Sequence, residues 1–261
     1  METPQIQFGC KGKEFLINSA TKMKKAIVIG ASSGIGRELA KILADDGYEV
    51  GLMARRTDLL DTLKNELPTK GYVSFIDLAQ VPAAIEKIRA MLQMMQGVDL
   101  VVISSATAFL NPELEWSKEK ATIDVNVYGF TAIVDEVYHF FAKQGHGHIV
   151  GISSIAALGG NSIAPAYNAS KAYMSNYLEG LRKKAFESSL PLVVTDIQPG
   201  YVATPMALGD KQFWVASPKK AAQQIFTAIK KKKPHTYITR RWRLIAWAMK
   251  HAPRWLYQRV G

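Results

Sequence analysis

Apolar positions along this chain fall into short unbroken runs separated by longer amphipathic stretches. Lys25–Ile29, Tyr48–Met53, Val73–Ile76, Leu100–Ser104, His148–Ile152, Val193–Ile197 and Thr236–Ile238 are such runs, rich in Val and Ile. Their length and lack of alternation predict strands buried on both faces. Between them lie helical patterns. Arg37–Asp46 carries Leu39, Ala40, Ile42 and Leu43 on one face and is stopped by Gly47. Leu59–Leu67, Pro82–Gln96, Lys118–Phe141, Tyr167–Ser188 and Ala216–Lys232 follow. Parallel strands need crossover connections, so this alternation predicts an α/β fold, a doubly wound parallel sheet of about seven strands with helices on both faces. The alternation runs unbroken from 25 to 238, which makes 23–239 one domain. Residues 1–22 have weak periodicity, and Met23 opens the first strand pattern, so 1–22 reads as an extension outside the core. Residues 240–261 form a separate C-terminal segment.

Composition narrows the class. The chain has 261 residues, 48% hydrophobic and 21% charged, which suits a globular domain and excludes a disordered one. A single cysteine, Cys10, excludes a disulfide framework or a Cys-rich zinc module and favours a reducing, cytoplasmic setting. No run approaches the length of a membrane span, and no secretory signal pattern is present. The net charge of +11 is unevenly placed. From Lys211 onward there are 8 Lys, 5 Arg and no acid, whereas residues 1–210 are close to neutral. That asymmetry points to one anionic surface met by one end of the molecule.

The first strand runs into Gly30-Ala31-Ser32-Ser33-Gly34-Ile35-Gly36 and then a helix. Strand, glycine loop and helix N-terminus together make a pyrophosphate cradle: glycines allow close backbone approach, and the unpaired helix N–H groups attract the anion. The fold is therefore Rossmann-type. The second strand ends at Arg55-Arg56, where a carboxylate would otherwise grip the adenosine ribose. Guanidinium forks suit a 2′-phosphate, so NADP(H) is expected over NAD. Asp77, closing the third strand, is either an acceptor for the adenine amino group or a turn carboxylate.

Tyr167 and Lys171 lie four residues apart on one predicted helix face. A nearby ammonium and a cationic ring would lower the phenol pKa toward working pH and let Tyr167 pass a proton to or from an alcohol/ketone pair. Ser154, at the end of the fifth strand, can point at the same oxygen. With these parts the chain resembles the short-chain dehydrogenase/reductase family over about Lys24–Ile238. The resemblance rests on the glycine loop, Asp77, Asn126 in Asp-Val-Asn-Val-Tyr-Gly, Ser154, Tyr167/Lys171 and Pro199-Gly200-Tyr201-Val202-Ala203-Thr204, all in the family's order and spacing. It implies a catalytic tetrad of Asn126, Ser154, Tyr167 and Lys171. Lys171 would also hold the nicotinamide ribose, and Asn126 would position a water that relays protons to it. Pro199, Gly200, Val202 and Thr204 would face the nicotinamide, with Thr204 at its carboxamide. The implied reaction is hydride transfer between NADP(H) and a ketone or secondary alcohol, by a homodimer or homotetramer.

One motif departs. The family usually has Asn-Asn-Ala-Gly after the fourth strand; here Ser104-Ser105-Ala106-Thr107 stands there, so the asparagine bracing of the sheet is missing, a serine replacing at most one bond. No metal set is expected among His139, His146, His148, His235 and His251, and His146 and His148 read as loop residues. No hydrolase elbow or Walker loop is present.

Arg240–Lys250 reads as a helix with a broad apolar arc and a narrower basic stripe, ended by Pro253. Trp214, Trp242, Trp247 and Trp255 cluster in this part of the chain. Trp and Arg at a polar/apolar boundary fit an interfacial helix on an anionic membrane. A helix capping the cleft or a partner subunit is the competing reading, and nucleic acid is the weakest. The apolar, aromatic stretch between Thr204 and Ser217 is expected to form a substrate wall. Together these features favour a lipophilic carbonyl or alcohol substrate, similar to 3-ketodihydrosphingosine reductases. A non-catalytic NADP-binding scaffold or sensor is the alternative, and the intact tetrad argues against it.

Overall fold

A computed structural model describes residues 23–206 and 213–251. The proposed extension 1–22, Trp255 and the middle of the expected substrate wall lie outside the described residues. Seven strands form one parallel sheet: β1 (Lys25–Ile29), β2 (Glu49–Ala54), β3 (Gly71–Phe75), β4 (Leu100–Ile103), β5 (Gly147–Ile152), β6 (Leu192–Pro199) and β7 (His235–Ile238). Their spatial order is β3-β2-β1-β4-β5-β6-β7. The order reverses between β1 and β4, and the crevice beyond the C-terminal ends of these two strands is where such sheets bind ligands.

Alternate residues of each central strand enter different cores. Ala26 and Val28 of β1 join Leu39, Leu43, Leu60 and Ile225, from α1 (Gly34–Asp45), α2 (Thr57–Glu66) and α7 (Pro218–Lys230). Ile27 and Ile29 join Ile88, Phe130, Val134 and Met174, from α3 (Val81–Met95), α5 (Phe130–Gln144) and α6 (Pro165–Glu187). Both faces of the sheet are covered, which is why the central strands β1 and β4 are almost wholly apolar.

Local differences from the expected elements concentrate near the crevice. The glycine loop is shorter than expected, because α1 starts at Gly34. The single helix expected over Lys118–Phe141 is α4 (Trp116–Ile123) joined to α5 through a π-helical turn, Asp124–Gly129, which carries Asn126. A 3-10 turn, Ile155–Leu158, follows β5 directly. The last described helix, α8 (Trp242–His251), starts two residues later than Arg240. His148 lies inside β5 and is buried, not in a loop: the strand begins one residue earlier, and Thr195 on β6 gives its Nε2 a partner at 2.8 Å.

Candidate active site

At the β1 end of the crevice the backbone is folded tightly on itself. Gly30 and Gly34 have φ of +93° and +59°. A Cβ on Gly36 would stand 2.2 Å from the Gly30 carbonyl oxygen, and one on Gly30 would stand 2.7 Å from the Ser105 nitrogen. No side chain fits there, and the α1 N-terminus is exposed to whatever the crevice holds. Ser33 occupies the cap position of α1, and the partly buried Ile35 anchors the first turn in the core. The variant segment after β4 holds this loop through its main chain: Ser104 and Ser105 N–H both donate to the Ile29 carbonyl, at 2.8 and 3.0 Å. The expected loss of bracing is thus offset by backbone bonds.

Arg56, just before α2, donates from Nη2 to Ser32 Oγ at 3.0 Å and Ser33 Oγ at 2.7 Å. It reaches across from the end of β2 to the rim of the glycine loop. Arg55 beside it is exposed. Asp77 accepts from the Ala79 N–H at 3.1 Å through Oδ1 and caps a turn, as its second reading had it. Pro199 ends β6 opposite Ile238, and Val202 is buried and bridged to Ala216. Thr204 faces the glycine loop, its methyl 3.0 Å from where a Gly34 Cβ would be.

The catalytic candidates assemble at the ends of β5 and α6. Ser154 caps the 3-10 turn, accepting from the Ala156 N–H at 3.1 Å, and its hydroxyl interacts with the Tyr167 phenol. Lys171, one turn along α6, is buried; its Nζ donates to the Ile152 carbonyl at 2.9 Å and lies 5.8 Å from the Tyr167 ring centre. Asn126 is fully buried. Its Oδ1 accepts from the Thr107 N–H at 2.8 Å, and its Nδ2 donates to the Thr107 carbonyl at 2.8 Å and to Ser170 Oγ at 3.0 Å. The asparagine therefore bolts the β4 loop to α6. Its side-chain amide is committed to Thr107 and Ser170.

Burial pushes the Tyr167 phenol up, against a lowering contact from Ser154. The lowering expected of Tyr167 needed a cationic nicotinamide ring as well as the lysine; in the protein alone, desolvation dominates. Burial also lowers Lys171 to about 7, with Asp196 opposing the shift. A lysine held there is poised to exchange protons near neutral pH.

Sequence reading missed several residues of this framework: Thr107, Ser153, Ser170, Ser175 and Asp196. The readable signal was the cluster of polar residues Thr195, Asp196 and Gln198 late in a strand that opens Leu-Val-Val. Among the described residues there is no group of three His, Cys, Asp or Glu able to hold a metal, and no helix is long and apolar enough to cross a membrane.

The C-terminal helix has one buried and one exposed face. Its inner face packs by the cleft: Trp242 is buried, and its indole edge fills the place of a Gly200 Cβ, 2.0 Å from that position. Tyr201, Phe213 and Trp214 surround the same indole, with ring centres at 5.5, 5.1 and 6.2 Å. Its outer face leaves Leu244 and Trp247 exposed at 69% and 66%.

Comparison with known proteins identifies the family and the fold. The family model described as short chain dehydrogenase matches residues 24–212. An uncharacterized oxidoreductase of Myxococcus xanthus is 35% identical over 184 residues, 69% of this chain and 72% of its own length. One from Mycobacterium tuberculosis is 33% identical over 192 residues, 70% of this chain and 75% of its own. Among solved structures, an actinorhodin polyketide ketoreductase with NADPH superposes with a TM-score of 0.74 at 22% identity, over 83% of this chain and 95% of that one. A Burkholderia phymatum short-chain dehydrogenase/reductase in complex with NAD gives 0.78 at 19% identity, over 86% and 92%. With the glycine crevice, the Tyr167/Lys171 pair and a family match spanning most of the sheet, the chain belongs to the short-chain dehydrogenase family.

Proposed function

We propose that this protein is an NADPH-dependent carbonyl reductase that interconverts a ketone and a secondary alcohol. The observation that carries the reading is the convergence of Ser154, Tyr167 and Lys171 beside the glycine crevice. The bound nicotinamide supplies or takes up the hydride. Ser154 and Tyr167 orient and polarise the carbonyl oxygen, Tyr167 moves its proton, and Lys171 holds the ribose and recharges Tyr167. The main-chain carbonyl of Asn126, in the π turn, is the remaining group of that residue able to hold a relay water.

The neighbouring folds carry NADPH in one case and NAD in another, so the choice falls to this chain's own residues. Arg56, with Ser32 and Ser33 as hydroxyl partners, makes a cationic fork suited to a 2′-phosphate, and Arg55 adds charge beside it. Asp77 retains a carboxylate oxygen for the adenine edge. The aromatic group of Tyr201, Phe213, Trp214 and Trp242 favours a lipophilic substrate. A panel of long-chain 3-keto lipids, steroids and small ketones, assayed with NADPH and with NADH, tests all three points. No turnover of any ketone would return the protein to a cofactor-binding scaffold.

A homodimer or homotetramer fits the exposed Ile123, Tyr128 and Tyr173 on α4 through α6. Leu181, on the same helix as Tyr173, is part of the core and takes no part in this surface. Light scattering at micromolar concentration checks the assembly. The outer face of α8 joins Leu244 and Trp247 to Arg240, Arg243 and Lys250 and suits an anionic membrane surface. Co-sedimentation with anionic vesicles that is lost in a Leu244→Ser/Trp247→Ser variant would support it; no sedimentation at low salt would end it.

A further inference from the structure

A carboxylate that the proposed mechanism does not use lies behind the catalytic pair. Asp196, on β6, is 1% exposed. Its Oδ1 receives the Ser153 hydroxyl, and its Oδ2 receives the Ser175 hydroxyl at 2.6 Å and the Gln198 amide at 3.0 Å. Ser153 sits between the two β5 residues that touch the chemistry: Ile152, whose carbonyl accepts from Lys171, and Ser154. Ser175 is one helical turn beyond Lys171 on α6. Asp196 thus joins two segments that β-sheet bonding alone does not connect. The main chain of Ser153 is fixed to β6 as well, its N–H donating to the Ile197 carbonyl at 2.8 Å.

We infer that Asp196 is a positioning residue, whose buried carboxylate clamps the β5 end to helix α6 and so sets the spacing between Ser154 and the Tyr167/Lys171 pair. The inference rests on the carbonyl reductase reading for its catalytic consequence, but not for the clamp itself. A buried carboxylate is an expensive way to join two segments unless each oxygen is hydrogen-bonded, and here both are. Its charge serves the same pair, because it favours the ammonium form of Lys171 against desolvation. The groups facing Lys171 are Tyr167 and Met174 of its own helix and the Ile152 carbonyl. Those on the far side of Asp196 are His235 at 4.0 Å on β7, Glu179 and Arg182 of α6, and Lys250 of α8, around a cavity of about 270 Å³.

The test compares Asp196→Asn, Asp196→Ala and wild type in the full chain. Asn keeps the shape and an acceptor but loses the charge and one acceptor site. For ketone reduction, Asp196→Asn should lower kcat about tenfold or more with KM for ketone within about threefold, and Asp196→Ala should lower it further. Activity that needs the Lys171 ammonium is lost as pH rises through its pKa, so the alkaline limb of the profile should move to lower pH in Asp196→Asn. A purely structural role would leave that limb in place. The second readout needs no turnover: with ¹³Cε-labelled lysine, the Lys171 resonance, assigned through Lys171→Arg, should titrate at lower pH in Asp196→Asn. If wild type reduces no ketone, the function reading has failed while this titration still judges the clamp. Unchanged kcat, alkaline limb and Lys171 titration in Asp196→Asn would overturn the inference. If both Asp196 variants fail to fold, Ser153→Ala and Ser175→Ala each remove one arm, and each should lower kcat; wild-type rates in both would also overturn it.

Discussion

The two halves of the crevice are built by different means. The glycine-loop half is one contiguous segment, shaped by main chain, with atoms so close that Gly30 and Gly36 leave no space for a Cβ. The other half is made of side chains from the π turn, the segment just after β5, α6 and β6, with the main chain of Thr107 from the loop after β4, tied by buried hydroxyls and amides. The first offers shape and backbone N–H dipoles whose direction does not change with pH. The second depends on which of its groups carries a proton. A cradle of backbone has no pH dependence of its own; a network around a lysine near pKa 7 does.

That contrast separates in four variants. Tyr167→Phe should lower kcat by about 10²–10⁴-fold, since only the proton donor is lost. NADPH affinity, measured by fluorescence titration, should stay close to wild type; a rate above roughly a tenth of wild type would remove Tyr167 from its role.

Lys171→Met should change the pH dependence of stability. The unfolded chain keeps this lysine charged up to its ordinary pKa of 10.5, while the folded protein releases the proton at about 7. Over that window the unfolded state binds more protons, so stability gains as pH rises from about 7 toward 10.5, and below 7 the full burden of the buried charge remains. The variant should lose this slope, a difference of order a few kcal/mol across the window. Parallel urea stabilities of the two proteins from pH 6 to 10 would remove the lysine's burden from the account.

Arg56→Ala acts on the other half. It should cost NADPH about 1.5–3 kcal/mol, or roughly 10–100-fold in Kd, and leave NADH nearly unchanged. Equal kcat/KM for the two cofactors in wild type would contradict the 2′-phosphate fork. Gly36→Ala should be the smallest, at about 1–3 kcal/mol, because the loop must open to admit a methyl group. Its signature is weaker binding of both cofactors with an unshifted pH profile for whatever activity remains. A shifted profile would mean that the two halves are not independent.

The contiguous half was legible in the sequence because its constraints are local. Strand, glycines and helix follow one another, and the spacing alone identifies the turn. The seven strands could be anticipated from their buried apolar runs, but their order in the sheet was not, since such runs do not say which strands are neighbours. In the other half, the candidate residues Ser154, Tyr167 and Lys171 were legible as types at a spacing, but the bonds that fasten the framework around them were not. Asn126 binds Thr107, 19 residues back, and Ser170, 44 residues on. Ser153 binds Asp196 across 43 residues. No periodicity links such pairs, since they meet only after the sheet has formed. The desolvation that raises Tyr167 was hidden for a related reason: charge is visible in a sequence, and desolvation depends on the packing around it. The C-terminal helix shows a third case. Its hydrophobic arc was correct, but which part of the arc was covered depended on Gly200, 42 residues before Trp242, offering a seat of the right shape.

The π turn has a consequence for insertions and deletions. An i→i+5 turn holds one more residue than the helix on either side requires. In an ordinary helix, deleting one residue rotates everything beyond it by about 100°, which would turn Phe130, Val134, Val137 and Phe141 out of the core. At the π turn the extra residue can be removed and the ladder closed as α-helix, with the phase of α5 against α4 preserved. Tyr128, 62% exposed, is the residue whose removal disturbs least packing. A chain lacking Tyr128 should therefore fold and keep its sheet, yet carry Asn126 in the geometry of a plain helix, away from Thr107 and Ser170. One residue of length, dispensable to the architecture, is what sets the register of this helix against the catalytic one.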